Sequence, residues 1–349
     1  MANPKQINEY KDIIDARSPA EYAEDHIPGA INVPAFNNDE RAAVGTLYKN
    51  DAFTARRVGA ALFTANLAKH LNDTFAQQSA DWAPLIYCAR GGQRSGGMVE
   101  ILRRIGWQAE QLNGGYKAYR QYIMTALQEK PAQLNWHVIA GKTGCGKTRL
   151  LTALQHLGAQ VIDLEKLAHH RGSVFGAALT HAQPSQRKFE TQLCAALNNM
   201  DTTLPVFVEA ESRKIGCIHL PAQLLTAIRA ATAIQLNVDI EARVRYILNE
   251  YQEFCADSQR FFATIDKLKV FTGNARIASW HAQHQSGAWQ QLVHELLRDF
   301  YDIGYEKSSR ANYANATHTD TVTLDPNNES DIVQAAETIY QRAAKISSD

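Results

Sequence analysis

Trp136-His-Val-Ile-Ala140-Gly141-Lys-Thr-Gly-Cys-Gly146-Lys147-Thr148 decides the fold of the longer part of this 349-residue chain. The first five residues read as a buried strand, and residues 147–157 carry helical spacing. Between them, Gly141 to Thr148 match G-x-x-x-x-G-K-S/T in full. A strand before this pattern and a helix after it form the context that gives it meaning, a P-loop. Glycine at 141, 144 and 146 lets backbone N–H groups turn inward around a phosphate, and the helix start adds partial positive charge. Lys147 then reaches the terminal phosphates, and Thr148 offers its hydroxyl to Mg²⁺. Cys145 stands at a variable position and acts as a small spacer. The motif calls for a phosphate-bearing ligand. Nucleotide is the commonest choice, but no base-recognition motif follows, so the ligand stays open at this point.

Downstream, Gln160-Val-Ile-Asp163, Pro205-Val-Phe-Val-Glu209 and Ala233-Ile-Gln-Leu-Asn-Val238 read as further strands. Pro184 opens a helix to about Met200, and a charged helix follows from about Ile240 to Phe254. Residues 257–318 read as mostly helical, with Thr321-Val-Thr-Leu324 as a last edge strand. Glu209 ends its apolar strand where P-loop proteins place a metal-holding acid, although aspartate is usual there. Asp163 ends the second strand and is a competing polar partner for the loop. For either, a carboxylate facing solvent is the plain alternative. Upstream, residues 12–128 alternate short strands with helices, and Lys130-Pro131-Ala-Gln133 reads as a linker. The expectation is two α/β domains with mostly parallel sheets. The first spans 1–129; the second spans 130–349 and carries a helical C-terminal extension.

The first domain has its own anion loop. Pro84-Leu-Ile-Tyr-Cys88 is an apolar strand that delivers a cysteine to Ala-Arg90-Gly-Gly-Gln-Arg94-Ser95. Two glycines let successive N–H groups point inward as a nest. The following helix start and the charges of Arg90 and Arg94 all favour a thiolate at Cys88. A buried, inert cysteine is the alternative, and the glycine pair with two arginines speaks against it. A cysteine followed six residues later by arginine also resembles the phosphate loop of cysteine phosphatases, but Tyr87 stands where those enzymes carry histidine.

Asp15-Ala-Arg17-Ser-Pro-Ala-Glu21-Tyr22 and His26-Ile-Pro28-Gly29-Ala-Ile-Asn32-Val-Pro34 resemble the N-terminal signature of rhodanese domains. Asp15 and Arg17 are read as a pair bracing the Cys88 loop, and His26 and Gly29 as shaping a turn. The rhodanese resemblance implies chalcogen transfer through a cysteine-bound intermediate. Together with the P-loop, Asp163-Leu-Glu-Lys-Leu-Ala-His-His170-Arg171-Gly172-Ser173-Val-Phe175-Gly176 and Glu209-Ala-Glu211-Ser212-Arg213-Lys-Ile215-Gly216, the chain resembles the tRNA 2-selenouridine synthase family over roughly residues 10–340. One departure is Cys145, where serine is expected. The resemblance implies a transferase that replaces sulfur by selenium at C2 of 2-thiouridine in the wobble position of tRNA. Selenophosphate is the implied selenium donor, and geranyl diphosphate alkylates the same sulfur on the way. On this reading Cys88 carries selenium to C2 and the P-loop holds the allylic diphosphate. Asp163, Glu209, Arg171 and Arg213 are candidates for metal or diphosphate contact. His170 and Lys214 join Arg171 and Arg213 as candidates for diphosphate or tRNA backbone. Implied partners are the tRNA and an enzyme that supplies selenophosphate.

Composition sets outer limits. The hydrophobic share is 45% and the formal net charge is zero, with neither half basic. That weighs mildly against a nucleic-acid partner, although local clusters such as Arg56-Arg57, Arg103-Arg104 and Arg213-Lys214 matter more than the sum. Five scattered cysteines, none in a C-x-x-C pair, argue against a disulfide framework and a zinc site. No apolar run is long enough for a membrane span, and the N-terminus lacks a signal-peptide pattern, so a cytoplasmic protein is expected. Other functions use the same loops. A rhodanese-type sulfurtransferase fused to an ATP-dependent kinase or ATPase would act on a small acceptor and carry no RNA. A non-enzymatic regulator would not need the intact Cys88 with its arginines.

Overall fold

The computed structural model describes residues 1–173, 175, 182–250, 252, 257–313 and 319–346. Val174, Gly176 and Phe254, named above, lie outside the described residues. The chain divides into two compact units. One comprises Met1–Leu127 with Pro184–Ala195; the other comprises Gln128–Gln183 with Ala196–Asp349.

In the first unit four short strands form a parallel sheet in the order β2 (Ile31–Asn32), β1 (Ile13–Asp15), β3 (Leu85–Tyr87), β4 (Glu110–Gln111). The central pair is buried on both faces, which is why β3 reads Leu-Ile-Tyr and β1 reads Ile-Ile before the buried Asp15. Ile14, Ile86, Met98, Leu102 and Phe75 pack between the sheet and its helices. The helix Gln93–Ile105 starts directly after the Cys88 loop and ends on Gly106 in the left-handed conformation. Asn38–Asn50 is a helix that the sequence reading passed over. Its inward side meets no fully buried residue of its own, so it lacks a strong apolar stripe.

The first unit is not a contiguous stretch. The proline-started helix expected from 184 is present as Gln186–Asn198, and the segment Pro184–Ala195 packs with residues 1–127. Its side chains explain why. Glu190 pairs with Arg120, and Thr191 donates to the buried Asp25 at 3.0 Å. The Ser185 hydroxyl donates to the carbonyl of Glu24. The expectation of one uninterrupted domain from 130 onwards is corrected accordingly.

The second unit holds a five-stranded parallel sheet, β11-β10-β5-β7-β6, with ranges Thr319–Thr323, Thr232–Asn237, Asn135–Ala140, Pro205–Glu209 and Gln160–Ile162. The expected edge strand near 321 is therefore β11, parallel to β10. Ile139 lies opposite Glu209, and Ile162 opposite Val208. This register brings the ends of β5, β6 and β7 to one edge of the sheet, where open α/β sheets hold their ligands. The helices Lys147–His156 and Glu329–Ile346 cover one face through Leu150, Leu154, Ala336 and Ile339. An antiparallel hairpin, β8 (Lys214–Ile215) and β9 (Ile218–His219), was not anticipated; two-residue strands carry no readable period. The helical tail is confirmed as Ser258–Ile265, Asn274–Gln285, Trp289–Leu296 and Asp302–Tyr313, and it has its own core around Trp280, Phe261 and Leu292. A π-helical turn, Leu297–Tyr301, joins the last two.

Candidate active sites

Cys88 follows β3 and is 3% exposed. Burial pushes its thiol up, but hydrogen bonds from Ser95 and the Arg90 backbone, with the charge of Arg94, bring it below its usual value. The Ser95 hydroxyl donates to Sγ at 3.1 Å. Gln111 Nε2 donates to Ser95 Oγ at 2.9 Å, which leaves the serine proton free to point at sulfur. Gln111 also holds the loop carbonyls of Gly91 and Gly92. Arg94 donates to Glu21 at 3.1 Å, so its charge is partly shared. Arg90 is exposed, and its N–H, not its guanidinium, supports the thiolate. The two arginines thus contribute less directly than the sequence implies, and Ser95 and Gln111 contribute more.

Beneath the loop, Asp15 and Arg17 form the expected buried pair at 2.6 Å. Tyr87 donates to Asp15 at 2.7 Å, tying this pair to the strand that ends in Cys88. The guanidinium of Arg17 also stacks on the Tyr116 ring, 3.8 Å from its centroid. Gly115 packs directly against the loop. A Cβ there would lie 2.3 Å from the Cys88 carbonyl oxygen and 2.4 Å from the Gly91 nitrogen, so only glycine fits. The Gly114-Gly115 pair, legible in the sequence only as a break, is the floor of the Cys88 loop.

In the second unit a cavity of about 1360 Å³ opens over the P-loop. Gly144 and Gly146 take left-handed conformations, and Gly146 starts the helix that carries Lys147 and Thr148. Lys147 donates to the Gly141 carbonyl at 3.1 Å. Burial opposes its charge, but Cys145, Glu165 and Glu211 raise its affinity for the proton overall. Cys145 is buried under Gly141 and its thiol is pushed up by burial, consistent with a spacer.

The carboxylates are distributed differently from the sequence reading. Glu209 is 2% exposed and does not line the cavity. Burial and the nearby Asp163, Glu211 and Glu165 push it well above the usual carboxylate range. Its Oε1 accepts from the Glu165 backbone N–H at 2.8 Å, so it anchors the start of the helix Leu164–Leu167. Asp163 caps that same helix through Lys166 N–H at 2.7 Å. The acid that faces Thr148 is Glu165, with Oε2 at 3.4 Å from the hydroxyl. Glu211 hydrogen-bonds Glu165; burial and that neighbour push it up to about 8. Glu209 thus holds the helix start that presents Glu165, and Glu165 is the acid within reach of the Thr148 hydroxyl.

Gly172, in the left-handed region with φ 62°, closes over these acids. A Cβ there would stand 2.3 Å from Glu165 Oε1 and 2.8 Å from Glu211 Oε1. His170 and Arg171 line the cavity; Arg171 also donates to the Glu250 carbonyl at 2.8 Å. Arg213, just before the hairpin, and Lys214, the first residue of β8, are exposed and are not on the cavity wall. Among the described residues, no group of three or more His, Cys, Asp or Glu side chains is arranged to hold a metal ion. Thr148 with a single carboxylate still suits Mg²⁺, which is commonly held by one or two carboxylates and the phosphates of its ligand. No helix among the described residues is long and apolar enough to cross a membrane.

Known proteins align with both halves. Residues 2–122 match the rhodanese-like domain family model, and residues 134–274 match that of the tRNA 2-selenouridine synthase AAA domain. The tRNA 2-selenouridine synthase of Alcanivorax borkumensis is 32% identical over 324 residues, covering 84% of this chain and 88% of that protein. That of Sulfurovum sp. is 33% identical over 306 residues, covering 86% and 83%. That of Cronobacter sakazakii reaches 40% over 247 residues, covering 68% and 64%. At 32–33% identity over more than four fifths of both chains, with both family models matched in order, the chain belongs to the tRNA 2-selenouridine synthase family.

Proposed function

We propose that the protein replaces sulfur by selenium at C2 of wobble-position 2-thiouridine in tRNA, through an S-geranyl intermediate, with geranyl diphosphate and selenophosphate as co-substrates. One observation carries this reading. A single chain holds a cysteine biased towards its thiolate in an anion loop and a P-loop that opens into a large cavity. A thiocarbonyl sulfur leaves C2 poorly, and alkylation makes it a better leaving group. In the first half-reaction the thiouridine sulfur attacks C1 of geranyl diphosphate. The C–S bond forms, the C–O bond breaks, diphosphate departs and the base loses its N3 proton. Lys147 and the loop N–H groups stabilise the departing charge. Thr148 and Glu165 would hold Mg²⁺, which when bound neutralises further diphosphate charge.

In the second half-reaction the Cys88 thiolate attacks C2, and geranyl thiolate leaves. The selenium of selenophosphate then displaces Cys88 from C2, and water cleaves the P–Se bond to release phosphate. Selenium carried on the Cys88 sulfur itself would require an oxidant, since selenophosphate delivers selenium in its reduced state. Attachment of Cys88 to the base carbon balances without one. The tRNA and a selenophosphate-supplying enzyme are the partners this scheme needs.

Nucleoside mass spectrometry tests it on thiolated tRNA incubated with both co-substrates. Wild type should yield 2-selenouridine, Cys88→Ala should accumulate the S-geranyl nucleoside, and Lys147→Ala should leave 2-thiouridine unchanged. Normal geranyl transfer by Lys147→Ala would overturn the assignment of the P-loop.

A further inference from the structure

Beside the P-loop cavity lies a second, apolar slot of about 70 Å³. Four residues, Thr143, Ser173, Ile247 and Tyr301, line both spaces and form their common mouth. The hydroxyls that the described residues bring to the slot wall, those of Thr143, Ser173 and Tyr301, all belong to that mouth. Beyond it the slot is closed by Phe175, Phe261, Leu248 and one face of the helix Trp289–Leu296, which presents Trp289, Leu292 and Val293. Among the described residues, the indole N–H of Trp289 is the one side-chain hydrogen-bonding group on this deeper wall. The volume is far below the ~300–1,000 Å³ of a complete small-molecule pocket, so the slot takes one end of a ligand whose remainder lies elsewhere. A nucleobase carries several donors and acceptors that this wall would leave unpaired, whereas a hydrocarbon chain leaves none.

The slot also gives a role to the segment His170 to Phe175, which the P-loop chemistry leaves without one. Gly172 lies against Glu165 and Glu211, Ser173 stands at the mouth, and Phe175 stacks on Phe261 with centroids 5.8 Å apart and planes at 22°. One short stretch therefore touches the acid pair at one end and the apolar wall at the other.

We propose that this slot holds the distal end of the substrate's hydrocarbon chain and sets its length, with Trp289 and Val293 as specificity-determining residues. The inference rests on the assignment of an allylic diphosphate to the P-loop. The diphosphate sits in the loop, the reacting carbon and its near neighbours lie in the large cavity open to the attacking sulfur, and the far carbons enter the slot. Burial of even a few methylenes in the slot raises affinity over that of the diphosphate alone by well over about tenfold.

The test is calorimetric titration of the full chain with pyrophosphate, dimethylallyl, geranyl and farnesyl diphosphates and ATP. Wild type should bind geranyl diphosphate at least tenfold tighter than pyrophosphate. Val293→Phe, which fills the slot, should lose about tenfold for geranyl diphosphate with pyrophosphate unchanged. Trp289→Ala, which enlarges it, should shift preference towards farnesyl diphosphate by about fivefold; unchanged pyrophosphate binding reports that both variants are folded. Geranyl diphosphate binding that needs Lys147 but ignores both slot variants overturns the slot assignment alone. Binding that survives Lys147→Ala overturns the P-loop assignment and the slot with it. ATP binding weakened by Val293→Phe would place a nucleobase in the slot and likewise overturn the proposal.

Discussion

Ser95 decides the state of Cys88. Burial alone would keep the thiol protonated, and the hydroxyl at 3.1 Å, oriented by Gln111, opposes it most strongly. A hydrogen bond to a charged group is worth about 1.5–3 kcal/mol. Ser95→Ala should therefore slow alkylation of Cys88 by iodoacetamide at neutral pH by roughly tenfold, and the pH midpoint of that reaction should move upward. Gln111→Leu should move it the same way by less. A pH–rate series on the three proteins checks both. The sign is opposite for Glu211, whose carboxyl is pushed from 4.5 up to about 8 in the folded chain. The folded state then holds a proton that the unfolded state has released, so stability falls as pH rises between those values. Thermal unfolding of the second unit followed from pH 5 to 8 should show this decline, and Glu211→Gln should flatten it. These effects were only partly legible in the sequence. Arg90 and Arg94 advertise charge near a thiol, but whether a guanidinium or a backbone N–H does the work depends on where each side chain turns.

At the scale of elements, the strand β7 and the helix Leu164–Leu167 are joined by one carboxyl. Glu209 Oε1 accepts the Glu165 N–H in the first turn of that helix, and the helix in turn presents the Glu165 carboxylate to Thr148. Glu209→Gln keeps the acceptor, so folding and Mg²⁺ dependence should both survive; Glu209→Leu leaves a buried N–H unpaired and should cost about 1–3 kcal/mol in unfolding free energy. Abolished Mg²⁺ dependence in Glu209→Gln would restore Glu209 as a metal ligand. A second junction ties the P-loop to the helical tail. Arg243 is buried, donates to the Thr143 carbonyl at 2.9 Å and pairs with Asp302 at 2.6 Å. Removing one member of a buried pair costs about 3–5 kcal/mol, while replacing both by apolar groups often costs little. Arg243→Met should lower the unfolding free energy by that amount, and Arg243→Met with Asp302→Leu should recover much of it; denaturant melts of the single and double variants measure the difference. Strand periods announce β5, β7 and β10 in the sequence, but no local pattern announces which distant side chain will meet which helix start.

At the scale of the whole molecule, the first unit takes in residues 184–195, a segment just past the midpoint of the chain and flanked on both sides by residues of the second unit. Asp25 is 1% exposed and accepts from Tyr116 at 2.7 Å and Thr191 at 3.0 Å. A fragment ending at residue 129 would expose Asp25 and leave Arg120 without Glu190. Such a fragment should be less stable than the same unit in the full chain by about 2 kcal/mol or more. Addition of a peptide covering 184–197 should raise its melting temperature. A fragment as stable as the intact unit would show the helix to be dispensable.

What the sequence by itself determined are the local grammars: two loops, each between a strand and a helix, whose glycines and charges specify an anion nest and a phosphate cradle within a handful of residues. Their chemistry depends on backbone conformation over short range, and short range is what a sequence displays. The tertiary structure alone decided the rest. It made Glu165, not Glu209, the acid facing Thr148, because register and helix placement set which carboxyl reaches the cavity. It made Gly115 a floor for a loop more than twenty residues away. It also returned residues 184–195 to the first unit and set Phe175 against Phe261, contacts between segments far apart in the chain that only packing can bring together.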